Sequence, residues 1–558
     1  MFRPRAKPSL FLWIALSISL IVPGPGRSQD LLREQLRHRL EEAAGQVVVA
    51  PDEPVHTRET TLRFYRARVY EPAWVSGQEI SGKATDLITS IERAGDDGLR
   101  PGDYHFEAIQ VLLRRAGGSG DPDPSLLVDL ELLLTDAWLL YAAHRVSGRI
   151  NPETIDAEWV ATRREVDVAA ALEKAIAADR VAEVLDDLLP GAPGYQSLRS
   201  ALARYRLMAS REWPARVPEG DKIHPGERET RIAGVRAILE AWGEIPADKP
   251  ADPDSYDPDL EKAVRRFQAR HGLDPDGVIG PKTLEALNTS PGRRARQIVL
   301  NLERWRWLPQ DLGARHVRVN IADFRLDVVE EAHVVLATPV IVGRDYRRTP
   351  VFSASMTYLV LNPTWEVPHQ LAVQDVLPQI RKDPDYIARL RFQVLPGWGA
   401  GEAPVDPSGI DWSELSPRNF PYRLRQLPGP ANALGRVKFM FPNRFSVYLH
   451  DTPSKDLFRK TERAFSSGCI RVERPVDLAA YSLAGDPAWP RPAIEAAMDS
   501  GEERTVRLPV PLPVHLLYWT AWVDEDGTVQ FRRDIYGRDA RLDEAFREDP
   551  PEPGEVVP

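Results

Sequence analysis

The sequence predicts a multidomain α+β protein: a helical first half, a small three-helix module, and a mainly-β C-terminal region interrupted by one long insertion. Three observations predict this. At 558 residues the chain exceeds what a single core organises, and three or four domains are expected. Apolar residues recur at helical spacing up to about residue 288 and at a two-residue period from about 314. The composition, 43% hydrophobic and 28% charged, is that of globular domains, and the fifty prolines point to frequent loop breaks.

Residues 1–28 read as a targeting segment. Arg3, Arg5 and Lys7 precede a largely apolar run over 9–22, and the small residues Gly26 and Ser28 follow, the pattern of a secretory signal. The run is shorter than the roughly 20 residues that span a bilayer as a helix. Removal after export is therefore expected, with an uncleaved N-terminal anchor as the alternative. From 30 to 218 the spacing is helical: 31–44 is amphipathic, 84–94 carries Leu87, Ile88 and Ile91, and 126–143 is rich in leucine. Gly and Pro clusters at 95–98, 117–124 and 190–193 separate these segments. Trp74, Tyr104 and Trp138 are expected as core aromatics of this helical domain.

Residues 219–290 form a separate module. One helix is expected over 230–242 and a second over 259–271, where Leu260, Val264 and Phe267 keep helical spacing. A turn over Gly272-Leu273-Asp274-Pro275-Asp276-Gly277 follows, and Pro281 fits the first turn of a third helix. Another helix over 297–308 leads to the strand-rich region, 314–546. There 317–321, 324–329 and 333–342 alternate or run apolar, with Glu330-Glu331 as a hairpin turn. Between Trp365 and Arg436 the strand rhythm breaks, so 366–435 is an insertion, and its length suits a lid. Strand patterning resumes at Lys438-Phe439-Met440-Phe441 and over 445–450, and the acidic, Pro-rich end after Phe546 is expected to be disordered.

The chemistry concentrates at 448–471. Cys469 is the one cysteine of the chain, so it has no disulfide partner within it. In an exported protein an unpaired thiol is a liability unless it has a task. In 445–450, Phe445, Val447 and Leu449 alternate with Ser446, Tyr448 and His450, which puts the tyrosine and the imidazole together on the face away from the core. A thiol is a good nucleophile as thiolate, and a nearby imidazole is the usual means of ionising it. Gly468 permits a tight backbone and exposes amide N–H groups to an oxyanion. The dispersed His316, His333, His369 and His450 offer no paired-ligand spacing, so no metal or other cofactor is expected. A net charge of −10 excludes nucleic acid as a general partner.

His450, followed by Ser466-Ser467-Gly468-Cys469-Ile470-Arg471, resembles the signature of the bacterial L,D-transpeptidases of the YkuD type. Val317-Arg318-Val319-Asn320, Val340-Ile341-Val342-Gly343-Arg344 and Thr349-Pro350 are similar to the strands that open that catalytic domain. Ser467 stands where many members have His, as in the large periplasmic subgroup. The insertion matches that subgroup's capping subdomain in position. Phe64-Tyr65, Pro72-Ala73-Trp74 and 98–104 look like its scaffold domain. Ala263-Val264-Arg265-Arg266-Phe267-Gln268 with Asp276-Gly277-Val278-Ile279-Gly280-Pro281 resembles a peptidoglycan-binding domain.

The resemblance implies a periplasmic enzyme that acts on peptidoglycan stem peptides and glycan. Cys469 would attack the bond after the third residue of a tetrapeptide stem and form a thioester, which the side-chain amine of a second stem resolves as a 3→3 cross-link. His450 would be the base, with Cys469 N–H, Gly468 N–H and the Tyr448 hydroxyl as oxyanion donors. In this family a backbone carbonyl near Ser466 or Ser467 orients the histidine, and the side chain of Asp451 alternates away from it. Ser467, Arg471 and Trp365 are candidate substrate contacts. Two roles are open for Arg471, holding a substrate carboxylate or anchoring the loop by an ion pair, and two for Trp365, groove lining or core. The alternatives are an L,D-carboxypeptidase and a non-enzymatic peptidoglycan-binding scaffold. Because the donor is a tetrapeptide, a D,D-carboxypeptidase or another cell-wall synthesis protein is the expected functional partner.

Overall fold

The computed structural model of the protein describes residues 25–42, 47–49, 53–118, 122–160, 163–247, 251–397 and 403–548. The targeting segment lies outside these residues up to 24, as does the C-terminal end from 549. The described chain forms two compact units, one of residues up to 91, 104–140 and 168–182, the other of 92–103, 141–167 and everything from 183. The helical stretch predicted over 30–218 is therefore divided between the two. No helix among the described residues is long and apolar enough to cross a membrane.

In the first unit residues 124–140, part of the helix Pro124–Ser147, carry the core. Leu130, Leu133, Leu134, Ala137 and Trp138 on it are fully buried, and Trp74 and Tyr104 are buried as expected of core aromatics. Its polar positions are buried with partners, as buried polar groups must be. Glu131 accepts the Tyr65 hydroxyl at 2.9 Å and the Trp74 N–H at 3.0 Å, and Asp136 meets His105 Nε2 at 2.7 Å.

The second unit contains the three-helix module, Arg231–Ala241, Pro258–Arg270 and Pro281–Leu287. Asp257 caps the second helix through the Asp259 and Leu260 N–H groups, and Pro258 occupies its first turn, so this helix starts one residue earlier than predicted. Buried Gln268 explains the long motif of this module. Its amide accepts the Gly277 N–H at 2.9 Å and donates to the Asp276 carboxylate at 2.9 Å and the Val278 carbonyl at 3.0 Å, fixing the turn that leads to the third helix. Gly277, at φ +76, occupies a conformation that favours glycine.

The helix Pro291–Arg306 joins the module to the strand-rich region. The first strands are β1 (Arg315–Asn320), β2 (Arg325–Glu330), β3 (His333–Gly343) and β4 (Phe352–Leu361). β5 (Trp365–Glu366) leads into the insertion, which contains β6 (Phe392–Leu395) and β7 (Arg423–Gln426). Then come β8 (Val437–Met440), β9 (Leu449–His450), β10 (Ala464–Ser466), β11 (Ile470–Val472) and β12 (Arg504–Leu517). Nine of these form one mixed sheet in the order β10-β3-β11-β9-β8-β4-β12-β1-β2, while β6-β7-β5 is a separate sheet. The β2–β3 hairpin turns on Glu331 and Ala332, both at positive φ, one residue later than predicted. The insertion has its own apolar core of Val373, Val376, Leu377, Ile380, Val394 and Leu424.

Candidate active site

Three neighbouring strands carry the site. In antiparallel β8–β9, Lys438 faces His450; in parallel β9–β11, His450 faces Arg471. Directly opposed residues share a face, so Lys438, His450 and Arg471 form one row across the sheet. Val437, Phe439, Leu449, Ile470 and Val472 point the other way into the main core. Cys469 lies one residue before β11 and is held opposite Tyr448, whose carbonyl accepts the Ile470 N–H at 3.1 Å. The tyrosine, the histidine and the cysteine thus share the face opposite the core.

The strand predicted over 445–450 is reduced to β9. Asn443 breaks it: its side chain accepts the Phe445 and Val447 N–H groups and donates to the Phe441 and Val447 carbonyls. Ser446 turns to φ +54 beside it. The predicted sidedness is retained. Val447 and Leu449 are buried in the core, and the Tyr448 and His450 rings meet edge to face at 5.7 Å.

The nucleophile loop is fixed from behind. Gly468 sits at φ +110, a conformation that disfavours side chains. Its N–H donates to Ser466 Oγ at 3.2 Å, and that hydroxyl donates to the Cys469 carbonyl at 2.5 Å. The Gly468 carbonyl accepts Thr349 Oγ1 at 2.9 Å, and the same hydroxyl accepts the Gly343 N–H at 2.9 Å. A Cβ at Gly343 would overlap the Arg347 carbonyl oxygen, so the loop closes this tightly only over glycine. The Gly468 N–H is thus occupied, whereas the Cys469 N–H has no backbone or side-chain acceptor among the described residues.

The Cys469 thiol donates to the Ser446 carbonyl at 3.9 Å, and the N–H and hydroxyl of Tyr448 lie near it and favour its charged form. Trp365, which immediately precedes the insertion, acts on that hydroxyl and favours its charged form. Burial pushes the Cys469 thiol above its ordinary value, against the pull of Tyr448 and of the Lys438 and Arg471 charges. Burial, joined by the Arg471 charge, pushes the His450 ring down to about 3. The sequence suggested a thiol ionised by its imidazole; burial instead favours the uncharged form of each group.

His450 Nδ1 donates to the Asp451 carbonyl at 2.5 Å. The orienting group is thus the carbonyl of the next residue, and not one near Ser466 or Ser467. A neutral ring with Nδ1 protonated keeps its lone pair on Nε2. The Asp451 carboxylate turns away as expected, to the Arg436 N–H and to Lys455.

The remaining candidates surround this group. Ser467 is exposed and accepts Arg347 at 3.0 Å. Arg471 Nε is buried without a hydrogen-bond partner, and no carboxylate among the described residues pairs with this guanidinium, so the loop-anchoring ion pair is absent there. Lys438, which sequence reading treated only as part of a strand, holds its ammonium 3.9 Å from the Tyr448 ring centroid. Its position facing His450 follows from the alternation of β8. Among the described residues no group of three or more His, Cys, Asp or Glu is arranged to hold a metal.

Three regions of the chain match known protein families. Residues 314–489 match the family model of the L,D-transpeptidase catalytic domain, residues 229–287 that of the "Putative peptidoglycan binding domain", and residues 59–202 that of the scaffold domain. A Haemophilus influenzae protein named "Putative L,D-transpeptidase" is 36% identical over 247 residues, covering 44% of this chain and 49% of that protein. The chain thus spans about half the length of that relative. The N-acetylmuramoyl-L-alanine amidase CwlM of Mycobacterium tuberculosis is 31% identical over 85 residues, 14% of this chain and 21% of that protein. A crystal structure of an L,D-transpeptidase from Xylanimonas cellulosilytica aligns at 16% identity over 54% of this chain and 99% of that one, with a TM-score of 0.17. The chain thus contains regions that match the scaffold domain, the peptidoglycan-binding domain and the L,D-transpeptidase catalytic domain of the YkuD type.

Proposed function

We propose that the protein is a periplasmic enzyme that cross-links peptidoglycan stem peptides through an acyl-enzyme on Cys469. The observation that carries this reading is a thiol held opposite Tyr448, on the same face as an imidazole whose Nδ1 is committed to a carbonyl. As sulfur attacks the carbonyl carbon of the third stem residue, its proton passes to His450 Nε2. The negative charge that develops on oxygen is met by the Cys469 N–H and the Tyr448 hydroxyl. Collapse breaks the C–N bond, and the terminal D-amino acid leaves after taking the proton back from His450. The side-chain amine of a second stem then attacks the thioester, gives its proton to His450, and releases Cys469 as a 3→3 cross-link forms. Gly468 contributes backbone geometry, and Arg471 contributes a cation for a substrate carboxylate.

The test is incubation of the purified protein with disaccharide-tetrapeptides, followed by mass analysis of products and of intact protein. A cross-linked dimer is expected, together with an acyl adduct absent from Cys469→Ala. Tripeptide in place of dimer would identify an L,D-carboxypeptidase. Neither product nor adduct would leave a wall-binding scaffold and overturn the proposal.

A further inference from the structure

His450 stands between two cations in its row. Lys438 faces it from β8 and Arg471 from β11, on strands about 4.8 Å apart. Neither forms an ion pair among the described residues. Lys438 has only the Tyr448 ring at 3.9 Å, and Arg471 Nε is buried with no partner. Glu503, the carboxylate that acts electrostatically on Lys438, accepts the Thr364 N–H. Arg344 adds a third like charge near Arg471. Cations held partly out of water without counter-ions cost free energy unless a ligand supplies the opposite charge.

The proposed reaction places such a ligand at this position. To be protonated by His450, the leaving nitrogen must come within about 3 Å of Nε2. The α-carboxylate of the leaving residue is joined to that nitrogen through a single carbon, so it falls beside the imidazole, in the strand spacing that Lys438 and Arg471 occupy.

We propose that Lys438, together with Arg471, reads the free carboxylate of the terminal D-amino acid and so restricts the donor to stems that end at the residue being expelled. Lys438 is here a specificity-determining residue, an assignment that rests on the proposed acyl transfer. A stem extended by one more residue would bring a neutral amide where the row demands an anion, and an unpaired charge would remain.

The test compares the acylation of Cys469 under single-turnover conditions by a disaccharide-tetrapeptide and by the same donor with its terminal carboxyl converted to a primary amide. Intact-protein mass reads the rate, so the acceptor plays no part. The wild-type protein is expected to prefer the acid by about ten- to a hundredfold, the range for hydrogen bonds to charged groups. Lys438→Met should shrink that preference by about tenfold, and Lys438→Arg should keep most of it. A general disturbance of Tyr448 or of the fold would slow both donors alike and leave the ratio unmoved. Wild-type rates within twofold of each other, or a ratio unchanged in Lys438→Met, would overturn the proposal. The wild-type comparison needs no variant, so it decides even if Lys438→Met misfolds. Absence of any adduct from either donor would refute acyl transfer itself, whereas equal adduct formation would refute only the carboxylate reading.

Discussion

A thiol and an imidazole that are both neutral must exchange their proton during attack, and this gives the pH profile a definite form. With His450 pushed down to about 3 and the Cys469 thiol raised above its ordinary value, acylation should be flat from about pH 5 to 8. It should fall only as the pH approaches about 3, where His450 takes a proton. An inflection between pH 6 and 7, where a free imidazole titrates, would contradict this. The same depressed value has a stability consequence. Between about 3 and 6.5 the unfolded chain binds a proton that the folded ring refuses. The stability contributed by the buried neutral ring is therefore fully present above about 6.5 and is lost as the pH falls toward 3, a slope that His450→Gln should reduce in chemical denaturation. Tyr448→Phe removes an oxyanion donor and a hydroxyl that favours the thiolate together. It should lower the acylation rate by about 10²–10³-fold and raise the thiol pKa measured by iodoacetamide alkylation. The shared face of Tyr448 and His450 was legible because alternation assigns faces without knowledge of the fold. The role of Lys438 was not, because it depends on which strand lies next to β9. The Asp451 carbonyl was not, because a backbone acceptor has no residue signature.

At the scale of elements, the nucleophile loop, the loop after β3 and the insertion are joined through two side chains. Thr349 uses both functions of its hydroxyl, donating to the Gly468 carbonyl and accepting from the Gly343 N–H. Thr349→Val leaves both partners buried and unmet, which costs about 1–3 kcal/mol; Thr349→Ser should restore most of it in thermal melts. Arg347 donates to Ser467 on the nucleophile loop and to Gln374 and Asp375 of the insertion. Gln374 and Asp375 lie in a π-helical turn, Ala372–Val376, a local widening often found at functional sites. Arg347→Ala should therefore release the insertion, seen as faster hydrogen exchange across 369–382 while the β4 and β12 amides remain protected. Unchanged exchange there would mean that the insertion is held by its own core alone. The insertion was legible as a break in strand rhythm. Its latch was not, because Arg347 precedes Asp375 by 28 residues and no local pattern couples them.

Over the second compact unit as a whole, the three-helix module has its own core but is tied to the strand-rich region at several points. Lys282 and Arg533 both pair with Glu462, at 2.8 and 2.6 Å, in the connection between His450 and Cys469. These exposed pairs each contribute little, under about 1 kcal/mol. The tighter joint is Arg532, whose side chain packs on Gly272, donates to the Arg270 carbonyl at 3.2 Å and pairs with partly buried Asp323 at 2.6 Å. Beside it His271 stacks on Phe531 at 5.6 Å, and Arg294 lies over the same ring at 4.7 Å. Removing one partner of this partly buried ion pair leaves the other charge unmet, at a cost of about 1–3 kcal/mol, and here the loss falls on the joint and spares both cores. Scanning calorimetry should show the module melting with the strand-rich region in the wild-type protein. Arg532→Ala should split off an earlier transition for the module and leave the later one in place. A single transition lowered as a whole would show instead that the two cores fold as one cooperative body, with Arg532 serving the catalytic domain alone.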